Sequence, residues 1–207
     1  MGFKKGISWP HAIYSFRKVV DRYTVNGSTV NVCTLDLSKA FDKVNHSALL
    51  VKLMNRNVPV NLLMLLEYWF ANSRSCVRWG SNSSEFYRLT AGVRQGGALS
   101  PCLFALYVND VIIKVTSCGI GCHLGFACVN IILYTDDILL LVPSISSLQA
   151  LLYICESELN SIDMIINDSK SNCLRIGPCW NCDVTNVKLA TRNGASIEWS
   201  ADTCWSS

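Results

Sequence analysis

Apolar positions recur along most of this chain with two periods, and the switches between them mark its elements. Residues 10–23 carry the helical period, and residues 30–37 alternate as a strand that ends on Asp36. Residues 45–56 and 59–71 read as two helices, split before Pro59. Short strands over 75–79 and 85–90 flank the turn Gly80-Ser81-Asn82-Ser83. Ser100-Pro101 predicts a helix start, because serine caps free amides and proline is tolerated at the first helical position. That helix runs through Leu103, Leu106 and Tyr107 to about Ile113. Residues 126–133 and 138–142 predict a hairpin, 146–161 a further helix, and 164–167 and 172–176 short strands. After Gly177-Pro178 the apolar density falls, and a poorly anchored end is expected.

The hairpin is unusual at its tip. Asp136 and Asp137 sit between Ile131-Ile132-Leu133-Tyr134 and Ile138-Leu139-Leu140-Leu141-Val142. Asp-Asp is common in turns for conformational reasons. Apolar runs on both sides make this a core hairpin, however, and ionised carboxylates against a core are costly unless a cation or a set of donors meets them. A divalent metal is an economical partner, and carboxylate-bound metals serve phosphoryl-type chemistry. A third acid, Asp36, ends the earlier strand one hundred positions upstream. Alone it would read as a strand-end residue capping the next turn.

Composition narrows the class. Half of the 207 residues are hydrophobic and 16% are charged, which excludes a disordered tail as the main content. No apolar run reaches the length of a membrane span; Leu62 to Ala71 is interrupted by Glu67. No secretory signal opens the chain, so an intracellular protein is expected, nuclear or cytoplasmic. The net charge is only +3, but residues 1–22 hold Lys4, Lys5, Arg17, Lys18 and Arg22 against Asp21 alone. That local excess suits a polyanion, but an ordinary solvated helix face is the favoured reading from charge alone. The eleven cysteines are scattered and read as small buried hydrophobes. Cys179-x-x-Cys182 and the loose cluster Cys118, Cys122 and His123 lack second pairs at zinc-finger spacing.

A glycine-rich stretch, Gly92-Val93-Arg94-Gln95-Gly96-Gly97-Ala98-Leu99, precedes the helix that begins at Ser100. Glycines permit close approach of backbone to a ligand, and amides at a helix N-terminus favour phosphate. Alone, such a loop is a weak signal, and a plain turn is the favoured account.

Taken in order, these sites carry a resemblance. Asp36-x-x-x-Ala40-Phe41-Asp42, Arg94-Gln95-Gly96-x-x-x-Ser100-Pro101 and Tyr134-Thr135-Asp136-Asp137 are similar to motifs A, B and C of the reverse transcriptase domain of non-LTR (LINE-type) retrotransposons. The opening Gly2-Phe3-Lys4-Lys5-Gly6 with His11-Ala12-Ile13 resembles the block before motif A, and Asn167-Asp168-Ser169-Lys170 resembles motif D. The resemblance covers about residues 2–177.

It implies an α+β fold: a right-hand polymerase palm, its antiparallel sheet carrying helices on one face, with partial fingers and no thumb. Residues 1–29 would be partial fingers, 30–177 the palm with fingers elements within 45–100, and 178–207 an incomplete segment toward a thumb. It implies RNA-directed DNA polymerase activity on an RNA template, a DNA primer and deoxynucleoside triphosphates, with no membrane. Asp36 and Asp136 would ligate two Mg2+ ions, Mn2+ being able to substitute, with Asp137 supporting and the Leu37 carbonyl completing one shell. Phe41 would exclude a 2′-hydroxyl. Gln95 and Gly96 would contact nucleotide and template, Arg94, Lys4 and Lys5 the nucleic acid, and Lys170 would protonate departing pyrophosphate. Two metals about 4 Å apart can stabilise both the attacking and the leaving oxygen. The rest is largely positioning and charge neutralisation.

The chain departs from the pattern at two turns. Thr135 occupies a position commonly held by alanine, and its small size predicts tolerance. Asp163 stands where motif D usually has glycine. With no fingers block for the triphosphate, no primer grip and no endonuclease segment in view, the reading is a fragment. A second reading is a catalytically inactive remnant that at most binds nucleic acid. A third is an RNA-dependent RNA polymerase, against which Phe41 and the Tyr-x-Asp-Asp pattern weigh.

Overall fold

The computed structural model describes residues 9–177 and 189–200. Lys4 and Lys5, and the pair Cys179 and Cys182, lie outside the described residues. The chain divides into two units: one holds the residues up to Ser38 and from Val108 onward, the other Lys39–Tyr107. In chain order the first unit opens with α1 (Trp9–Val25) and β1 (Val30–Leu35). The second holds α2 (His46–Met54), α3 (Val60–Asn72) and four two-residue strands, β2 (Arg74–Ser75), β3 (Arg78–Trp79), β4 (Asn82–Ser83) and β5 (Tyr87–Arg88). Helix α4 (Ser100–Ser117) begins among the second unit's residues and ends among the first's. The first unit continues with β6 (Cys122–Leu124), β7 (Ala127–Val129), β8 (Ile131–Tyr134), β9 (Asp137–Val142), α5 (Ile145–Asn160), β10 (Asn172–Ile176), β11 (Leu189–Ala190) and β12 (Ser196–Trp199). No helix among the described residues is long and apolar enough to cross a membrane.

The first unit is built on a six-stranded sheet in the order β11-β12-β10-β1-β9-β8. Every pairing is antiparallel except β10 with β12. Strand β1 lies inside, and its side chains are buried on both faces except at Thr34. Its period-two alternation feeds two cores. On one face Val30, Val32, Ile132, Leu141 and Ile176 pack with Ala12 and Val19 of α1 and with Cys122. On the other, Cys33, Cys173 and Cys155 of α5 meet, below the leucines that α5 buries at 148, 151, 152 and 159. The hydrogen bond with Cys173, then burial, push the Cys33 thiol up, and burial pushes Cys155 up to about 12. These thiols stay protonated and behave as the small apolar groups that the sequence implied. Ser144 caps α5, its hydroxyl accepting from the Ser147 amide at 3.2 Å. Lys114 of α4 pairs with Glu158 of α5 at 2.6 Å, while α1 covers part of the sheet face opposite α5.

Several expectations need correction. Residues 127–129 do not run on into β8 but form β7, which pairs back on β6 around Gly125 and Phe126. The break falls at Asn130, fully buried, whose amide donates to the Val115 carbonyl at 2.8 Å. Helix α4 continues past Ile113 to Ser117 because Val115 supplies one more buried apolar position. Residues 164–167 make a single bridge, Ile166 to Leu37, in place of a strand. Of the end expected to be poorly anchored, the described residues are tied in: β12 adds to the sheet beside β10, and β11 pairs with β12. Residues 178–188 and 201–207 lie outside the described residues. Side-chain to backbone bonds, invisible to apolar periodicity, hold these strands. Gln149 of α5 donates to the Ala190 carbonyl at 2.7 Å and accepts from its amide at 2.9 Å. The Glu156 carboxylate accepts from the Arg192 amide at 2.8 Å.

In the second unit α2 and α3 bury Leu49, Leu53, Leu66 and Phe70. Asn45 caps α2 by accepting from the Ala48 amide at 3.0 Å. His46 stacks on Phe70 with ring centroids 4.2 Å apart and donates from Nε2 to the Gly92 carbonyl at 2.7 Å.

Replacing Gln149 by Ala should free the Ala190 amide and carbonyl and cost about 1–2 kcal/mol, two hydrogen bonds' worth. Hydrogen exchange should then accelerate at Ala190 and Ile197 before it does at β1. Unchanged protection there would show that the terminal strands hold without this clamp.

Candidate active site

Asp36 follows directly on the last residue of β1, and its backbone is fixed from both directions. Its amide donates to Ser171 Oγ at 3.2 Å, and its carbonyl accepts from the Asn167 amide at 2.8 Å. Ser171 Oγ itself donates to the Asn167 carbonyl at 2.8 Å. The Ser38 amide donates to the Ile165 carbonyl at 2.9 Å. These backbone bonds run on either side of Leu37, which leaves its own carbonyl out of the ladder. Clamped in this way, Asp36 holds its carboxylate on stationary backbone, about a third exposed. Lys170, on the same loop, brings its ammonium to 4.0 Å from that carboxylate and is itself mostly exposed.

The Asp pair reaches this place through register. Tyr134 pairs with Asp137 across β8 and β9, which leaves Thr135 and Asp136 as a two-residue loop. Leu35 pairs with Ile138 across β1 and β9, so the next step along the ladder sets Asp36 beside Asp137. Asp136 is half-buried and Asp137 exposed at the tip. Partial burial, then repulsion by Asp136 and by Asp36, raise the Asp137 carboxyl above its ordinary value. Asp137 therefore feels both other acids, and Lys170 stands near Asp36 as a positive charge.

Both departures in the turns have a backbone reason. Thr135 has φ +54°. The favoured two-residue hairpin turns need a positive φ at their first loop position, which a β-branched residue adopts only under strain. Side-chain size is thus not what Thr135 tests; conformation is. Asp163 has φ +60°, so the position does require the left-handed region, and aspartate adopts it more readily than most residues.

In the second unit Phe41 opens a one-turn helix, Phe41–Lys43, and stacks on buried Phe104 with centroids 4.8 Å apart. Its carbonyl accepts from the Val93 amide at 2.8 Å, and the Val44 carbonyl accepts from the Gly92 amide at 2.8 Å. Gly92 has φ +91°, and a Cβ there would lie 2.9 Å from the Asp42 carbonyl oxygen, so only glycine fits. Arg94, Gln95 and Gly96 are exposed in the loop that follows. Ser100 does not cap the helix as expected: its buried hydroxyl donates to the Arg94 carbonyl and closes this loop. Asp36, Leu37, Asp136, Asp137 and Lys170 thus form one group in the first unit, and Phe41, Arg94, Gln95 and Gly96 lie in the second. Ser171 and His46, which hold the two loops, gave no sequence signal beyond being polar.

Three carboxylates against one ammonium make a donor set suited to a hard divalent cation. No three His, Cys, Asp or Glu side chains among the described residues form a ready-made metal cage. Magnesium needs none, since it is commonly held by one or two carboxylates together with water and substrate phosphates.

Because its pKa is raised, Asp137 keeps its proton in the folded chain at pH values where the unfolded chain has lost it. Its contribution to stability is full below the ordinary carboxylate range and is lost as pH rises through the raised value. In a carboxyl-carbon NMR titration without metal, Asp137 should titrate above the usual Asp value and shift back toward it in Asp36→Asn. No response to that substitution would mean that the two strands do not bring these acids into electrostatic contact.

Comparison with known proteins follows the same lines. The profile of the family "Reverse transcriptase (RNA-dependent DNA polymerase)" matches residues 3–192. The Pol polyprotein of retrotransposable element R2 from Nasonia vitripennis is 28% identical over 147 residues, 71% of this chain and 14% of its own length. The RNA-directed DNA polymerase of mobile element jockey from Drosophila funebris is 31% identical over 118 residues, 57% of this chain and 12% of its own. The chain thus spans about a seventh of these relatives. Among solved structures, a telomerase from Candida albicans, in complex with a fragment of telomeric RNA, superposes with a TM-score of 0.60 at 14% identity. That match covers 81% of this chain and 30% of the telomerase and shows a shared fold. The motifs, the sheet and the matched span agree: the chain belongs to the reverse transcriptase (RNA-dependent DNA polymerase) family, among those of non-LTR retrotransposons.

Proposed function

We propose that this chain adds deoxynucleotides to the 3′-hydroxyl of a DNA primer along an RNA template. One observation carries the reading. The register of β1 against β9 draws Asp36 together with Asp136 and Asp137 at one end of a rigid sheet, where their charges repel. In this reading residues 30–177 are the palm, residues 1–29 and parts of 45–100 belong to the fingers, and 178–207 lead toward a thumb.

Asp36, Asp136 and the Leu37 carbonyl would hold two magnesium ions, with Asp137 supporting. Divalent ions bound there would stabilise the charge on the attacking and leaving oxygens. The chain's own residues do the remaining work. The clamp of Asn167 and Ser171 keeps Asp36 from moving as the nucleotide arrives. Phe41, braced by Phe104, presents a rigid ring suited to rejecting a 2′-hydroxyl. Gln95 and Gly96 stand exposed for the nucleotide and template, and Arg94 for the phosphate backbone. Lys4 and Lys5, outside the described residues, would add to that backbone contact. Lys170 carries a proton that it can hand to the departing pyrophosphate.

Primer extension on an RNA template with magnesium tests the reading, with the chain both alone and extended by its flanking sequence. Asp136→Asn should lower the rate by more than about a hundredfold, since even partners behind a metal ligand cost ~10–100-fold. A parent protein that yields no product in either form with magnesium or manganese would leave only the inactive, nucleic-acid-binding alternative.

Phe41→Ala should raise ribonucleotide incorporation relative to deoxynucleotide by about tenfold or more, the scale of steric discrimination in a pocket. An unchanged ratio would remove Phe41 from the selection step.

A further inference from the structure

His46 ties together the two stretches of the second unit that carry Phe41 and the glycine-rich loop. It is the first residue of α2, and its ring lies on Phe70 of α3 with the planes 10° from parallel. Phe70 is buried and stacks in turn on Trp69. The stack fixes the imidazole plane, and the ring edge then delivers Nε2 to the Gly92 carbonyl at 2.7 Å. A carbonyl only accepts, so Nε2 carries a proton.

The acceptor is part of a clasp. The Gly92 amide donates to the Val44 carbonyl at 2.8 Å, so this residue is bonded at both of its polar groups. The next amide, of Val93, donates to the Phe41 carbonyl at 2.8 Å. Together the three bonds tie residues 92–93 to the turn 41–44, where the Gly92 backbone meets Asp42 with no room for a Cβ. Val44 and Val93 are buried. Phe41 stands on one strand of the clasp, its ring set by Phe104, and exposed Arg94, Gln95 and Gly96 follow on the other. Of the three bonds only the one from His46 is made by a side chain, so it alone is chosen by residue type.

We propose that His46 is a positioning residue for nucleotide selection: through Gly92 it holds the ring of Phe41 and the loop of Arg94, Gln95 and Gly96 at one fixed separation. This rests on the polymerase reading above, in which Phe41 rejects a 2′-hydroxyl and Gln95 and Gly96 meet the nucleotide. A loosened clasp lets ring and loop drift apart, which admits ribose and weakens the hold on the incoming triphosphate. Asp36 is fixed by other bonds, from Ser171 and Asn167, so turnover at saturating nucleotide is spared.

The test compares His46→Gln, His46→Asn and His46→Phe by primer extension on an RNA template. A glutamine amide nitrogen reaches the place of Nε2, an asparagine one only that of Nδ1, and phenylalanine keeps the stack without a donor. Asn and Phe should each raise the KM for deoxynucleotide and lower the deoxynucleotide-to-ribonucleotide ratio about tenfold, the scale of one hydrogen bond to a partly buried carbonyl. Their kcat should stay within about threefold of the parent, the signature of lost binding and not of lost chemistry. Gln should restore both KM and ratio. Hydrogen exchange gives a readout that needs no polymerase activity. The Gly92 and Val93 amides should exchange faster in Asn and Phe than in the parent and Gln, while β1 keeps its protection.

Parent-like KM, ratio and exchange in Asn and Phe would overturn the proposal. So would a Gln variant as impaired as Asn, because the ring would then serve packing alone. Extension by the parent with selection untouched in Asn and Phe removes His46 from selection and leaves the polymerase reading standing. A parent without product removes the polymerase reading, and the exchange pattern then decides the clasp by itself.

Discussion

Antiparallel pairing of β1 with β9 holds like charges together that would otherwise move apart. Each step of that ladder is made by apolar side chains buried on both faces, Val32 against Leu141 and Cys33 against Leu140. A slip of one residue would exchange the two cores, which makes the register expensive to change. The carboxylates at its end inherit that rigidity. Asp137 shows the consequence, its carboxyl raised above the ordinary value by burial and then by the charges of Asp136 and Asp36. Electrostatic tension there is sustained by hydrophobic burial elsewhere in the sheet.

The loop from Ile165 to Ser171 fixes the end of β1 where Asp36 stands. Without it Asp36 would sit on a free terminus. Its amide and carbonyl are instead both taken, and Lys170 is delivered to the carboxylate by the same loop. The strained backbone at Thr135 belongs with this picture. Non-glycine residues in the left-handed region persist where the surroundings over-determine them, and here the strands flanking the turn are locked into the sheet. The second unit repeats the logic with different parts. Gly92 accepts from His46, approaches Asp42 too closely for any side chain, and ties the glycine-rich loop to the turn that carries Phe41.

Much of this was legible beforehand. Periodicity located α1, α2, α3, α5 and β9, because each must bury one face or both. The Asp136-Asp137 pair stood out because charged residues among Ile and Leu need a reason, whereas Asp36 alone read as a strand-end residue capping the next turn. The β6–β7 hairpin was missed because a single buried Asn130 ends an apolar run that reads as continuous. The terminal strands were missed because Gln149 and Glu156 hold them by bonds to backbone, and such bonds leave no hydrophobic pattern. Ser100 was read as a cap and serves as a latch, a difference set by where the Arg94 carbonyl lies.

By itself the sequence determined which segments are helix or strand and which residue types are available for chemistry, since those depend on local sterics and on the free energy of burial. It also determined the family, through short motifs in a set order. Only the tertiary structure decided that Asp36 lies beside Asp137 and that Lys170 faces Asp36. Those are facts of register between segments far apart in the chain, and register is chosen by the packing of the whole sheet, which no local stretch encodes.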